Sequence, residues 1–266
     1  MKMVGTGNDF IVLDNRSEWL SGSESDFFVR ICRRRLSIGA DGVILLERPR
    51  KADIRMRYYN RDGQEAAMCG NGGRCLAWYA RRIGAVASDA FTLEAADGMH
   101  RVRLDGVSVS LEMARPTDFR PPSGILRESD GTEGGFVNTG VPHFVVFVKD
   151  AAKVDVAASA PFYRNHPAFP GGTNVNFVQP VDGHRIRVRT FERGVEGETL
   201  SCGTGCVASA LVAHRRLAIG SPVEVTTSGG VLTIRFDQSW EDVWLQGPVE
   251  KAFEGVLEFP MENLET

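Results

Sequence analysis

A chain of 266 residues, 42% of them apolar, can form two modest domains, each with its own core. A formal charge of −3 and the lack of a Lys/Arg stripe interleaved with aromatics exclude a nucleic-acid partner. No run approaches about eighteen apolar residues and the amino terminus lacks the basic and hydrophobic blocks of an export signal, so a cytoplasmic protein without membrane contact is expected.

In chain order, Phe10-Ile11-Val12 reads as a strand. Only seven residues precede Asn8, so the first strand is expected to be short or the natural start to lie upstream. An apolar-periodic helix follows, with Cys32 as a small core residue and Arg33-Arg34-Arg35 as its solvated face. Met68-Cys69-Gly70-Asn71-Gly72-Gly73-Arg74-Cys75 places a thiol at a glycine turn that opens a helix, with Leu76, Ala80 and Ile83 on the apolar face. Strands are expected at Asp53–Tyr59, Phe91–Ala95, Arg101–Leu104 and Val107–Leu111 around that helix. The stretch from Thr117 to Gly135, rich in Pro, Gly, Ser and acidic residues, reads as a linker centred on 118–133. It divides the chain into 1–117 and 134–266, with the C-terminal tail able to pack back on the first half. In the second half Leu200-Ser201-Cys202-Gly203-Thr204-Gly205-Cys206 opens a helix whose uncharged run Cys206–Ala213 is expected to be buried. Strands at Arg185–Phe191, Val223–Thr227, Leu232–Phe236 and Val243–Leu245 surround it.

The halves repeat. Cys69 and Cys202 lie 133 residues apart, and the same offset, within one residue, relates Thr6-Gly7 to Thr139-Gly140, Gly39 to Gly172, Ile54-Arg55-Met56-Arg57 to Ile186-Arg187-Val188-Arg189, and Asn60 to Glu192. A unit of this length is no solenoid repeat. The expected fold is α+β, with two pseudo-symmetric domains from an internal duplication. Each is a curved, barrel-like mixed sheet around a central helix, with the active site in the interdomain cleft.

An odd count of five cysteines without an export signal argues against a disulfide framework. Zinc on Cys69, Cys75, Cys202 and Cys206 is disfavoured by spacings of six and four residues in place of C-x-x-C knuckles. No metal is expected. Duplication makes Cys69 and Cys202 a two-base pair: inversion at an acidic carbon needs a base on one face and a proton donor on the other. Helix N-termini with glycine N–H groups can stabilise the dianion that forms as the proton leaves. Neither motif holds a lysine for a Schiff base, so no cofactor is expected. The blander alternatives are buried cap cysteines in duplicated turns, or a zinc- or redox-active thiol-binding protein.

The motifs Gly7-Asn8-Asp9-Phe10, Gly39-Ala40-Asp41-Gly42, Asn60-Arg61-Asp62-Gly63, Cys69-Gly70-Asn71-Gly72, Pro142-His143, Thr173-Asn174-Val175-Asn176-Phe177, Glu192-Arg193-Gly194 and Gly197 through Gly205 resemble, in order, those of the diaminopimelate epimerase family. The resemblance spans nearly the whole chain. It implies a pyridoxal-phosphate-independent isomerase of lysine and peptidoglycan precursor synthesis that interconverts LL- and meso-diaminopimelate. It also implies Cys69 and Cys202 as alternating base and acid, and His143 and Glu192 in support of catalysis. Asn8, Asn60, Asn174 and Arg193 would hold substrate, with Gly70-Asn71 and Gly203-Thr204 on the reacting carboxylate. Arg193 suits the distal carboxylate, and Glu192 with Asn oxygens suits the distal ammonium. Without that context, His143 reads as a turn histidine and Asn174 as a strand-end cap.

Two positions depart from the family pattern: Val141 stands where many members have asparagine before Pro-His, and Gly42 where some have a glutamine. Proline racemases and hydroxyproline epimerases, the alternative, resemble Cys-Gly-His-Gly at the first motif, where this chain has Asn71. The phenazine-pathway isomerase type lacks the paired cysteines. The partner implied is a small-molecule substrate, with a homodimer left open.

Overall fold

The computed structural model describes residues 1–66, 68–121 and 133–258. The first half contributes β1 (Lys2–Gly5), β2 (Asn8–Asp14), α1 (Ser25–Cys32), β3 (Gly42–Glu47), β4 (Ile54–Asn60), β5 (Glu65–Ala66), α2 (Gly70–Arg82), β6 (Ala90–Ala95), β7 (Gly98–Asp105) and β8 (Ser108–Glu112). Then come β9 (Thr117–Arg120), β10 (Gly134–Asn138), β11 (Pro142–Phe147), α3 (Val156–Arg164), β12 (Asn174–Pro180), β13 (Arg185–Glu192) and β14 (Gly197–Thr199). The chain closes with α4 (Gly203–Leu217), β15 (Val223–Thr227), β16 (Gly230–Phe236), β17 (Val243–Pro248) and β18 (Glu250–Phe253). The eight strands expected around the two helices are present, their ends shifted by up to three residues.

Two compact units form, Met1–Leu111 with the segment from Gly247, and Glu112–Gln246. In the first, the strand order is β18-β1-β2-β3-β4-β6-β7-β8, with β2–β3 and β4–β6 parallel and the other neighbours antiparallel. In the second it is β9-β10-β11-β12-β13-β15-β16-β17, with β11–β12 and β13–β15 parallel at the same two places. Duplication is therefore written in topology as well as in sequence, and the fold is α+β with mixed sheets.

Local sequence explains the layers. In β4 and β13 apolar residues alternate with Arg55, Arg57, Arg185, Arg187 and Arg189, so one face of each strand is buried and the other lies nearer solvent. In contrast, β3 is buried along its whole length, as its run Gly-Val-Ile-Leu-Leu-Glu requires. On one side of the first sheet α2 packs against β1, β2, β3, β4 and β7; α4 does the same against β10, β11, β12, β13, β15 and β16. Gly72 and Gly73 permit the close approach of α2, because a Cβ there would lie 2.9 Å from Ile44 Cδ1 or from Met68 Cε. As its composition requires, α4 is buried from Gly205 to Ala213. The opposite face of β3 is covered by α1 through Phe27, Phe28, Ile31 and Cys32, and burial pushes the Cys32 thiol up to about 11.

Two expectations are corrected. Arg33-Arg34-Arg35 is no helix face: α1 ends at Cys32, Arg33 is extended and Arg35 is left-handed with φ 69°. The last carbonyls of α1, those of Ile31 and Cys32, are taken by the amides of Gly39 and Ala40, and the Arg34 guanidinium turns back to the carboxylates of Asp9 and Asp41. The stretch read as a linker also begins with a strand, since β9 pairs with β10 through Phe136↔Arg120 and Asn138↔Thr117. Residues 122–132 of that stretch lie outside the described residues. The compact units are cut at 111/112 and 246/247, with β9 joined to β10 and β18 to β1.

Candidate active site

Both lead cysteines occupy the same local position. Cys69 is the N-cap residue of α2 with φ −130° and ψ 113°, and Cys202 that of α4 with φ −125° and ψ 114°. Each carbonyl already accepts the first bond of its helix, from Gly73 N–H at 2.7 Å and from Cys206 N–H at 2.9 Å. An extended N-cap swings its side chain out of the helix, next to first-turn amides that have no partner within the helix. In each unit, a thiol thus stands beside an anion-attracting helix end.

In the first unit, polar bonds run inward from the surface to a buried guanidinium. Asn71, 1% exposed, donates from Nδ2 to Asn8 Oδ1 at 2.7 Å, and Asn8 Nδ2 donates to Asp41 Oδ2 at 3.2 Å. Arg74, fully buried, donates from Nη2 to Asn71 Oδ1 at 2.6 Å and to Thr6 Oγ1 at 2.9 Å, and from Nη1 to the Pro248 carbonyl at 3.0 Å. Burial pushes the Asp9 carboxyl up, but the Arg34 guanidinium and Lys2 ammonium outweigh it and hold it below the usual carboxylate range. Asn60 sits at the end of β4 opposite Gly42. A Cβ at Gly42 would lie 2.4 Å from the Tyr59 carbonyl and 2.6 Å from the Tyr58 ring, which explains why no longer side chain stands there.

The second unit gathers His143, Asn174, Asn176, Glu192, Arg193, Cys202 and Thr204. His143 on β11 is fully buried; its Nε2 lies 2.9 Å from Thr204 Oγ1 and its Nδ1 3.0 Å from Asn176 Nδ2. Thr204 Oγ1 lies 3.4 Å from Cys202 Sγ, and the Thr204 carbonyl accepts from the Thr139 hydroxyl at 3.0 Å. Asn174 donates to the Pro142 carbonyl at 2.9 Å and accepts from the Arg193 amide at 2.8 Å, so it ties the start of β11 to the end of β13. Glu192 accepts from the Thr199 hydroxyl, and the exposed Arg193 donates from Nη1 to the Gly171 carbonyl at 2.9 Å. Burial pushes the Cys202 thiol well above its usual range and the Glu192 carboxylate adds to that; the Thr204 hydroxyl and the Gly205 amide oppose it.

Within units, the structure thus brings Cys69, Gly70, Asn71 and Asn8 together at one helix end, and Cys202, Gly203, Thr204, His143, Asn174 and Glu192 around the other. Sequence reasoning missed Arg74, Asn176 and Thr190, whose hydroxyl donates to Asn176 Oδ1 at 3.0 Å. Asn176 carried a signal, because a second asparagine two residues after Asn174 falls on the same face of a buried strand.

Burial pushes the His143 imidazole down to about 3, the Arg193 guanidinium adds to this, and only the Asn176 contact opposes it. Unfolding releases it to its ordinary value of 6.5, so the unfolded chain binds the extra proton between pH 6.5 and 3. The contribution is therefore fully present above 6.5 and is lost as pH falls through that window, on the order of 4 kcal/mol by pH 3. Urea titrations from pH 7 to 4 should show a weaker acid loss in His143→Gln than in the parent. Parallel losses would mean that this imidazole does not hold its neutral state.

The sequence model of the diaminopimelate epimerase family matches residues 1–117 and 135–251. The chain belongs to the diaminopimelate epimerase family. It is an isomerase that acts on a small-molecule substrate. The diaminopimelate epimerase of Aquifex aeolicus is 43% identical over 272 residues, covering 96% of each chain. A Bacillus anthracis phenazine biosynthesis protein of the PhzF family shares the fold, with a TM-score of 0.72 at 15% identity over 93% of this chain and 94% of that one. So does a probable proline racemase of Agrobacterium radiobacter, with a TM-score of 0.67 at 16% identity over 99% of this chain and 94% of that one. Among the described residues no helix is long and apolar enough to cross a membrane, and no group of His, Cys, Asp and Glu is arranged to hold a metal ion.

Proposed function

We propose that this family member interconverts LL- and meso-diaminopimelate without a cofactor, with Cys69 and Cys202 as paired acid and base at the substrate α-carbon. The observation that carries the reading is the duplicated N-cap: two thiols with matching backbone angles, each at the mouth of a buried helix. Abstraction of an α-proton from a carboxylate substrate puts a second charge on that carboxylate. Two helix N-termini supply amides for it without solvent reorganisation. Gly70-Asn71 and Gly203-Thr204 are the residues that offer them. Burial keeps Cys202 protonated at rest, which fits the partner that delivers a proton, while the opposite thiol serves as base. Asn8, Asn60, Asn174, Glu192 and Arg193 then hold the rest of the substrate, Arg193 on the distal carboxylate and Glu192 near the distal ammonium.

Incubation with LL-diaminopimelate and chiral separation of products tests the reading. Expected are conversion to a mixture with the meso form, solvent deuterium at the inverted carbon, and undiminished turnover after dialysis against a chelator. Turnover that vanishes on dialysis and returns only with a divalent ion would sink the cofactor-free reading. Turnover of proline in place of diaminopimelate would transfer the assignment to the racemase alternative.

A further inference from the structure

We propose that Asn176, held by Thr190, fixes the tautomer of His143 so that the Thr204 hydroxyl is forced to donate to Cys202 Sγ, which makes Asn176, Thr190 and Thr204 positioning residues for that thiol. The proposal rests on Cys202 being one of the two proton-transfer groups.

The neighbours of the Asn176 amide set its orientation. Asn176 is fully buried on β12, with Nδ2 3.4 Å from the Phe144 carbonyl, which can only accept. Its Oδ1 accepts from the Thr190 hydroxyl at 3.0 Å. The amide N–H₂ therefore faces His143 Nδ1 at 3.0 Å, and that ring nitrogen must present a lone pair. A neutral imidazole with a bare Nδ1 carries its proton on Nε2. That proton points to Thr204 Oγ1 at 2.9 Å. Having accepted it, the threonine hydroxyl turns its own single proton to Cys202 Sγ at 3.4 Å.

The other tautomer would reverse the chain. An Nδ1–H would confront the Asn176 N–H₂, and the bare Nε2 would draw the Thr204 proton away from sulfur. The site is tight: a Cβ on Gly205 would lie 2.5 Å from Asn176 Oδ1, 3.2 Å from His143 Cε1 and 3.2 Å from Cys202 Cβ. A hydroxyl that donates to sulfur favours the thiolate over the thiol, and so counters the burial and the Glu192 carboxylate that hold the thiol protonated. The charged or titratable groups that face this pair are Glu192 and Arg193 from the end of β13 and Cys206 from α4.

The test reads the thiol directly. In a Cys69→Ala background, the rate of iodoacetamide alkylation of the Cys202 peptide is followed against pH by mass spectrometry. Thr204→Val should slow alkylation about tenfold at a given pH, equivalent to about one unit upward in the apparent thiol pKa. Thr204→Ser should restore the parent profile. Asn176→Asp, whose carboxylate accepts at Nδ1 and so moves the ring proton there, should slow alkylation in the same direction while Thr204 is intact. Nitrogen NMR of labelled histidine should show a protonated Nε2 for His143 in the parent and a protonated Nδ1 in Asn176→Asp. A folded Thr204→Val or Asn176→Asp protein with the parent's alkylation profile, or a parent ring protonated on Nδ1, would overturn the proposal. Because alkylation needs no turnover, a relay that stands in a chain unable to epimerise diaminopimelate would fault the functional reading alone, and the converse result would fault the relay alone.

Discussion

Cys69→Ala and Cys202→Ala are each expected to lower epimerisation by about a thousandfold or more. One positioned proton-transfer group contributes roughly 10² to 10⁴ in rate, and inversion needs both in a single passage. Serine in either position should fare little better, because its hydroxyl is far too weak an acid to supply the base at neutral pH. Binding should survive, since Asn8, Asn60, Asn174 and Arg193 take no part in moving the proton. Deuterium exchange separates the two thiols. With Cys202 removed, Cys69 can still take and return a proton on its own face, so one stereoisomer should exchange its α-hydrogen without inverting. With Cys69 removed, the other stereoisomer should do so. Near wild-type epimerisation by either variant would mean that one base suffices.

The reason this pair stood out in the sequence is that both the motif and its spacing repeat. Strand periodicity, the glycine turns and the uncharged run in α4 are local properties, so they were legible one segment at a time, and the 133-residue offset joined them into two units. What stayed hidden depends on partners distant in sequence. The arginines after Cys32 look like a helix face until Arg34 meets Asp9, 25 residues earlier. Likewise β9 lies in a stretch whose composition reads as a linker, because backbone pairing with β10 needs no particular side chain. Asn174 is a cap whose partners are distant in sequence. It caps the Pro142 carbonyl at the start of β11 and, through the Arg193 amide, fixes the strand end that carries two of the residues assigned to substrate.

Arg74 shows the same limit most sharply, and its replacement should have the largest effect on stability. In the sequence it follows two glycines in a helix start and gives no sign of being the largest fully buried side chain among the described residues. In the structure its guanidinium fork serves three acceptors, on Asn71, on Thr6 and on the Pro248 carbonyl. Arg74→Ala would leave all three without their donor and open a cavity beside α2. Each buried acceptor stripped of its donor costs roughly 1 to 3 kcal/mol, so a loss of about 4 kcal/mol is expected after partial relaxation. For a chain of this size that corresponds to a fall of roughly 10 °C in Tm. Arg74→Lys should recover only part of it, because a single ammonium cannot span acceptors set around a planar fork. Asn71 loses its anchor in both variants, and with it the orientation of Asn8, so KM should rise in Arg74→Lys even where the protein remains folded at assay temperature. Calorimetry that places Arg74→Ala within 2 °C of the parent would show that the three acceptors find other donors. An unchanged KM in Arg74→Lys would show that Asn8 is held through Asp41 alone.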